Sequence, residues 1–181
     1  MTFLISGGAK NGKSSLAQNL AVSLAQGGTH YYIATMIPVD DEDRERIRRH
    51  IADRDGLGFE TIECGTHLLS CLETADRNAS FLLDSVTALL MNELFPAERG
   101  YAMDIQAGER CAEELEEFAR TVKNAVFVSD YIYSDAQRYD TVTETYRRLL
   151  ADIDRCLARV CDTVVEVSAG QTIVHKGELT L

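Results

Sequence analysis

Short apolar runs alternate along the chain with longer stretches in which apolar residues recur every three or four positions. The runs predict strands over Thr2–Ser6, His30–Thr35, Phe59–Glu63, Ser80–Asp84, Ala125–Ser129 and Thr163–Ser168. The periodic stretches predict helices over Lys13–Gln26, Asp40–Arg54, Thr66–Ala75, Ser85–Phe95, Ala107–Lys123 and Thr141–Val160. Alternation of this kind predicts an α/β fold with a mostly parallel sheet and helices on both faces. The last apolar run, Ala169-Gly170 and then Gln171–His175 predict a C-terminal β-hairpin, so the sheet is expected to be mixed at that edge. Pro96 to Asp104 is the expected long loop. No repeat, low-complexity tract or linker interrupts the pattern, so residues 1–181 read as one domain with a substantial core.

The first predicted strand runs into Gly7-Gly8-Ala9-Lys10-Asn11-Gly12-Lys13-Ser14, which fits the phosphate-loop pattern GxxxxGK[ST] without a mismatch. A helix pattern follows from Ser15, with Leu16, Leu20 and Leu24 spaced by four. Gly7 and Gly12 allow backbone angles that a side chain forbids. Backbone N–H groups then turn inward and, with the helix N-terminus, form an anion cradle. Lys13 is expected to reach the outer phosphates, and the Ser14 hydroxyl to hold Mg²⁺. Phe81-Leu82-Leu83-Asp84 is an apolar run that ends in a carboxylate. Asp84 is a candidate second contact for Mg²⁺. Asp84 or Ser85 also reads as the cap of the next helix, and the two roles are compatible.

Residues 40 to 54 open with acids and close with bases, which suits a helix dipole. Ile47 and Ile51 are expected to anchor this helix on the protein. Arg46, His50 and Arg54 are each four apart and form a second stripe. A histidine between two arginines is electrostatically costly without an anion, so the stripe is a candidate receiver of a phosphate chain. Histidine also serves as a nucleophile. The same segment reads equally as a solvated helix laced with ion pairs such as Glu42–Arg46 and Glu45–Arg49.

A formal charge of −11 argues against a general nucleic-acid surface. It leaves a nucleotide open, because a phosphate loop binds through local dipoles. No apolar run is long enough to span a membrane. The N-terminus lacks the pattern of a secretion signal, so a cytosolic (cytoplasmic) location is expected. Five scattered cysteines form no CxxC pair and read as reduced packing thiols. A metal other than Mg²⁺ is not indicated.

Several segments, taken in order, resemble the bifunctional adenosylcobinamide kinase/adenosylcobinamide-phosphate guanylyltransferase family of cobalamin biosynthesis. Ile5 to Ser14 is similar to its GGxRSGKS opening, and Tyr32-Ile33-Ala34-Thr35 to its YIAT strand. Asp41-Glu42, Arg46-Ile47, His50 and Arg54 match its D-E-x-x-x-R-I-x-x-H-x-x-x-R helix. Phe59 to Glu63 resembles W-x-T-x-E. Asp84-Ser85-Val86-Thr87 with Asn92 resembles D-C-L-T…N. The likeness extends weakly through Val126–Asp130 to Lys176-Gly177. It implies a P-loop NTPase (RecA-like) fold, a homotrimer, Mg²⁺, ATP and GTP as substrates and a corrinoid partner. It also implies two activities. One phosphorylates adenosylcobinamide with a nucleoside triphosphate; the other transfers GMP from GTP to the product through a guanylyl-histidine. By this resemblance His50 is the nucleophile and Lys13 the catalytic lysine. Gly7 to Ser15, Glu63 and Asp84 are expected to form the nucleotide site, with Arg46 and Arg54 added from their helical spacing beside His50.

The chain departs from the family after the fifth strand, where N-E-V-G-x-G-I-V-P is replaced by Asp130-Tyr131-Ile132-Tyr133-Ser134-Asp135-Ala136-Gln137-Arg138. Tyr131 and Tyr133 read either as stacking groups for a ring or as a packed pair at the strand end. The change leaves open a relative that keeps one of the two activities. Another P-loop kinase of small metabolites and a nucleotide-binding regulator are the remaining rivals.

Overall fold

The computed structural model describes residues 1–133 and 136–179. Seven strands form one sheet: β1 (Thr2–Gly7), β2 (His30–Ala34), β3 (Glu60–Glu63), β4 (Ser80–Asp84), β5 (Asn124–Asp130), β6 (Thr163–Ser168) and β7 (Gln171–Lys176). The helices are α1 (Lys13–Ala25), α2 (Asp41–Asp53), α3 (Val86–Leu94), α4 (Ile105–Thr121) and α5 (Thr141–Val160). The strand order is β3-β2-β4-β5-β1-β6-β7. All neighbours are parallel except β6 and β7, which form the expected antiparallel hairpin.

Alternation along the central strands builds two cores, because successive side chains leave a strand on opposite faces. Phe3 and Ile5 of β1, Leu82 of β4 and Val126 and Val128 of β5 pack with Ala17, Leu20 and Ala21 of α1. Leu4, Phe81, Leu83, Ala125 and Phe127 face the other way, onto α3, α4 and α5 through Leu90, Leu115, Phe118, Leu150 and Leu157. Four helices start on a side-chain cap: Asp40, Ser85, Asp104 and Asp140 each accept a backbone N–H of the first turn. At the start of α3 the cap is Ser85, which leaves the Asp84 carboxylate for other partners. α1 differs. Its cap position is Gly12, with φ of 95°, no side-chain cap and no acidic residue in its first turn. Its N-terminal N–H groups are thus left for an anion.

Two expectations need correction. The helix predicted over Thr66–Ala75 is a short 3₁₀ turn, Leu68–Glu73, entered through His67 at φ of 52°. Leu68 and Cys71 are its buried residues, and their spacing of three suits that tighter winding. The loop predicted over Pro96–Asp104 contains a 3₁₀ turn, Ala97–Arg99, and the Asp104 cap starts α4 at Ile105, earlier than expected. All five cysteines are free and buried.

Phe118 is fully buried between Phe81 and Phe127, with ring centroids 5.3 and 6.2 Å away and both contacts edge-on. Phe118→Ala is expected to lower the unfolding free energy by about 3–5 kcal/mol in urea titration. A loss below about 1 kcal/mol would mean that α4 is not clamped on the sheet as described.

Candidate active site

Parallel strands present their C-terminal residues to one edge, where ligands of open α/β sheets sit. Register pairs Gly7 with Asp130, Val128 with Asp84, and Ala34 with both Asp84 and Glu63. These strand ends open onto a cavity of about 1070 Å³, roofed by α2. Ala9 to Ser15, Glu63 and Asp84 line it, as do Arg46, His50 and Arg54. Gly7 and Gly8 do not line it; they form the root of the loop. A Cβ on Gly7 would run into the Val167 carbonyl. The Asn11 amide bonds that same carbonyl and pins the loop to β6. The Asn11 Oδ1 atom is buried without a partner.

Lys13 is 5% exposed. Its Nζ donates to the Gly8 carbonyl at 2.6 Å and to Asp130 Oδ1 at 2.7 Å. Asp84 accepts from Tyr32 Oη at 3.1 Å and from the Ser14 hydroxyl. Burial pushes the Asp84 carboxyl above the usual carboxylate range; His50 and the hydrogen bonds from Tyr32 and Ser14 oppose the shift, and Asp130 adds to it. The contact of Ser14 with Asp84 supplies a hydroxyl and a carboxylate side by side. That hard-oxygen pair fits Mg²⁺.

His50 Nδ1 lies 3.7 Å from Asp84 Oδ2, an ion-pair distance rather than a hydrogen bond, and is buried without a hydrogen-bond partner among the described residues. The Arg54 guanidinium lies 4.1 Å from the Tyr32 ring centroid, a cation–π contact, and donates to Thr61 Oγ1 at 3.4 Å. Arg54 and His50 therefore tie α2 to the sheet. The expected anchor of Ile47 and Ile51 is only half right, since Ile51 is 51% exposed and α2 buries no residue fully. The reading of α2 as a solvated helix laced with ion pairs holds in part, and its Arg46, His50 and Arg54 stripe faces the cavity. Asp41–Arg44, Glu45–Arg48 and Glu45–Arg49 pair along its outer side, while Glu42–Arg46 does not form, and Arg46 has no ion-pair partner among the described residues.

Two residues of the motif segments that carry no predicted site role brace this edge. Thr35 Oγ1 donates to the Ser85 carbonyl at 2.9 Å and accepts from Ser85 N–H at 2.7 Å. The Asn92 amide bonds the Thr35 carbonyl at 2.7 Å and the Gly65 carbonyl at 2.8 Å. Their signal was present as the Thr of YIAT and the Asn after D-C-L-T. Of the two readings of Tyr131 and Tyr133, the structure favours the packed pair at the strand end, since neither lines the cavity. The two rings sit 6.5 Å apart, tilted. Tyr131 bonds Glu166, and Tyr133 Oη donates to Asp154 Oδ2 at 2.9 Å. Ser134 and Asp135 of the altered segment lie outside the described residues.

The family model of cobinamide kinase / cobinamide phosphate guanyltransferase (CobU) matches residues 3–174. No curated protein matches the chain. Among solved structures, an ATPase domain is similar over 97% of this chain and 76% of its own, with a TM-score of 0.54 and 11% identity. A protein from Pyrococcus horikoshii OT3 is similar over 97% and 86%, with a TM-score of 0.50 and 10% identity. At such identities the likeness is one of fold. The fold is that of P-loop NTPases (RecA-like), mostly parallel with an antiparallel hairpin at one edge.

Asp154 braces the segment after β5, since it also accepts from Ser129 Oγ at 3.0 Å. Its Oδ1 is buried without a partner among the described residues, and burial pushes the carboxyl from an ordinary 3.8 up to about 6. The folded chain then holds this proton more tightly than the unfolded one. Its contribution to stability falls as pH rises from about 4 to 6 and is level above that. Measured by urea titration across that window, wild type is expected to lose about 1–3 kcal/mol relative to Asp154→Asn. Parallel pH profiles would refute the assignment.

Proposed function

We propose that this chain, which belongs to the cobinamide kinase / cobinamide phosphate guanyltransferase family, carries out both transfers on adenosylcobinamide in the one cavity above the sheet. The family role is a transferase role in cobalamin synthesis. The finer reading is phosphorylation of the corrinoid hydroxyl by a triphosphate such as ATP, then transfer of GMP from GTP through His50. The observation that carries it is the convergence of Lys13, Ser14, Asp84 and His50, from the phosphate loop, β4 and α2, on one cavity.

In this reading Lys13 and the loop amides from Gly8 to Ser15 hold the phosphates. Ser14 and Asp84 would hold Mg²⁺, which supplies positive charge against the triphosphate. For guanylyl transfer, an imidazole nitrogen of His50 forms a bond to the α-phosphorus. The bond from that phosphorus to the α,β-bridging oxygen breaks, and pyrophosphate leaves. The imidazole gains positive charge, which the Asp84 carboxylate 3.7 Å away offsets. Arg46 and Arg54 would offset charge on the transferring group, and Glu63 would border the nucleotide, since all three line the cavity. The phosphorylated corrinoid then takes GMP from His50. One domain, residues 1–181, a homotrimer and a cytosolic setting complete the reading.

A second reading, a relative with one activity, draws on the altered segment after β5. It has Asp130 and two packed tyrosines where the family has Asn and a glycine loop.

His50→Ala separates the transfers. In a folded variant, guanylyl transfer is expected to fall by at least ~100-fold, with phosphorylation kept within about tenfold, as befits loss of a dedicated nucleophile. Equal loss of both would contradict the role given to His50. Lys13→Ala is expected to depress both transfers, and unchanged turnover would sink the phosphate-loop assignment.

A further inference from the structure

We infer that Asp130 makes this chain select cation-complexed triphosphate over the free anion, because its carboxylate already occupies the lysine that the phosphates must reach. The inference rests on the reading of residues 7–15 as a triphosphate site.

Lys13 Nζ is bound to Asp130 Oδ1 at 2.7 Å and to the Gly8 carbonyl at 2.6 Å. The amine is 6% exposed at the side chain and the carboxylate 34%. The lysine charge therefore reaches the cavity partly cancelled, with the carboxylate as its more exposed member. The backbone that carries Asp130 is fixed in place. It closes β5, the strand between β1 and β4, and is in register with Gly7. Its own N–H donates to Thr87 Oγ1 at 3.0 Å, and the next residue, Tyr131, donates from its N–H to the Gly7 carbonyl at 3.3 Å. The backbone on both sides of the carboxylate is thus held.

A second carboxylate, Asp84, lines the same cavity. Asp84 closes β4 and Asp130 closes the neighbouring β5, so both carboxylates stand at the same sheet edge. Arg46 and His50 of α2 and Arg54 at its C-terminal end also line the cavity, with His50 Nδ1 3.7 Å from Asp84 Oδ2. Arg54 is engaged with Tyr32 and Thr61. A free triphosphate must therefore separate a short ion pair and lie beside one or two carboxylates. A divalent cation on the phosphates cancels about two units of their negative charge and so weakens that repulsion. An Asn at 130 keeps the shape and a carbonyl for Lys13 but removes the charge, so the lysine is left to the phosphates.

The test is calorimetric titration of wild type, Asp130→Asn and Asp130→Ala with GTP at fixed ionic strength. Each is titrated once with excess MgCl₂ and once with EDTA, and thermal melts confirm folding. Wild type is expected to bind cation-free GTP at least ~30-fold more weakly than the Mg²⁺ complex, by the strength of close charge pairs. Asp130→Asn is expected to tighten cation-free GTP by about tenfold while changing the complexed form by less than about threefold. Asp130→Ala is read in the same way should the Asn variant not fold. A ratio within about twofold of wild type in the folded variants would overturn the role of Asp130 and leave the site intact. A wild-type chain that binds neither form overturns the functional reading of the loop and this inference with it.

Discussion

In a parallel sheet all strands finish on the same side, so the residue that closes each strand is delivered to a common edge. Here the register delivers Gly7, Asp130, Asp84, Ala34 and Glu63 in sequence across β1, β5, β4, β2 and β3. The site depends on that constraint. A slip of one residue in β4 would turn Asp84 to the other face and remove its contacts with Ser14 and Tyr32. The buried alternation of Phe81, Leu82 and Leu83 prevents it, because a slip would exchange the two cores. Packing in the sheet and chemistry at its edge are thus set by the same hydrogen-bond ladder.

Above that edge the balance of charge is narrow. α1 offers uncapped N–H groups, and Lys13 offers a buried amine already shared with Asp130. Asp84 is held in a contact network of Tyr32, Ser14 and His50. α2 has no fully buried residue and is moored through Arg54 on Tyr32 and through His50 near Asp84. The helix that carries the nucleophile of the proposed reaction is therefore held by polar and cation–π contacts rather than by a core. Helices attached in this way open at low cost compared with α3, α4 or α5.

The periodicity made most of the fold legible. The central strands are unbroken apolar runs, and α5 was placed at its observed limits because its stripe is long and Asp140 caps it. The 3₁₀ turn at Leu68–Glu73 was misread because two buried residues three apart serve a tight turn as well as an α-helix. In the candidate site, the phosphate loop, Asp84 and the α2 stripe were readable from spacing, and the structure gathers them around one cavity. Thr35 and Asn92 stand within the motif segments, but their bracing role was not readable, because it joins backbone carbonyls and N–H groups of distant segments. No local pattern encodes such a contact. The pairing of Asp130 with Lys13 spans 117 positions and likewise depends on β5 lying beside β1.

The most direct test of the central claim is the intact mass of the folded protein after incubation with Mg²⁺ and GTP. A gain of one guanylyl group, absent in His50→Ala and discharged by adenosylcobinamide phosphate, is the result this account requires. An unchanged mass in wild-type protein that binds GTP would contradict it.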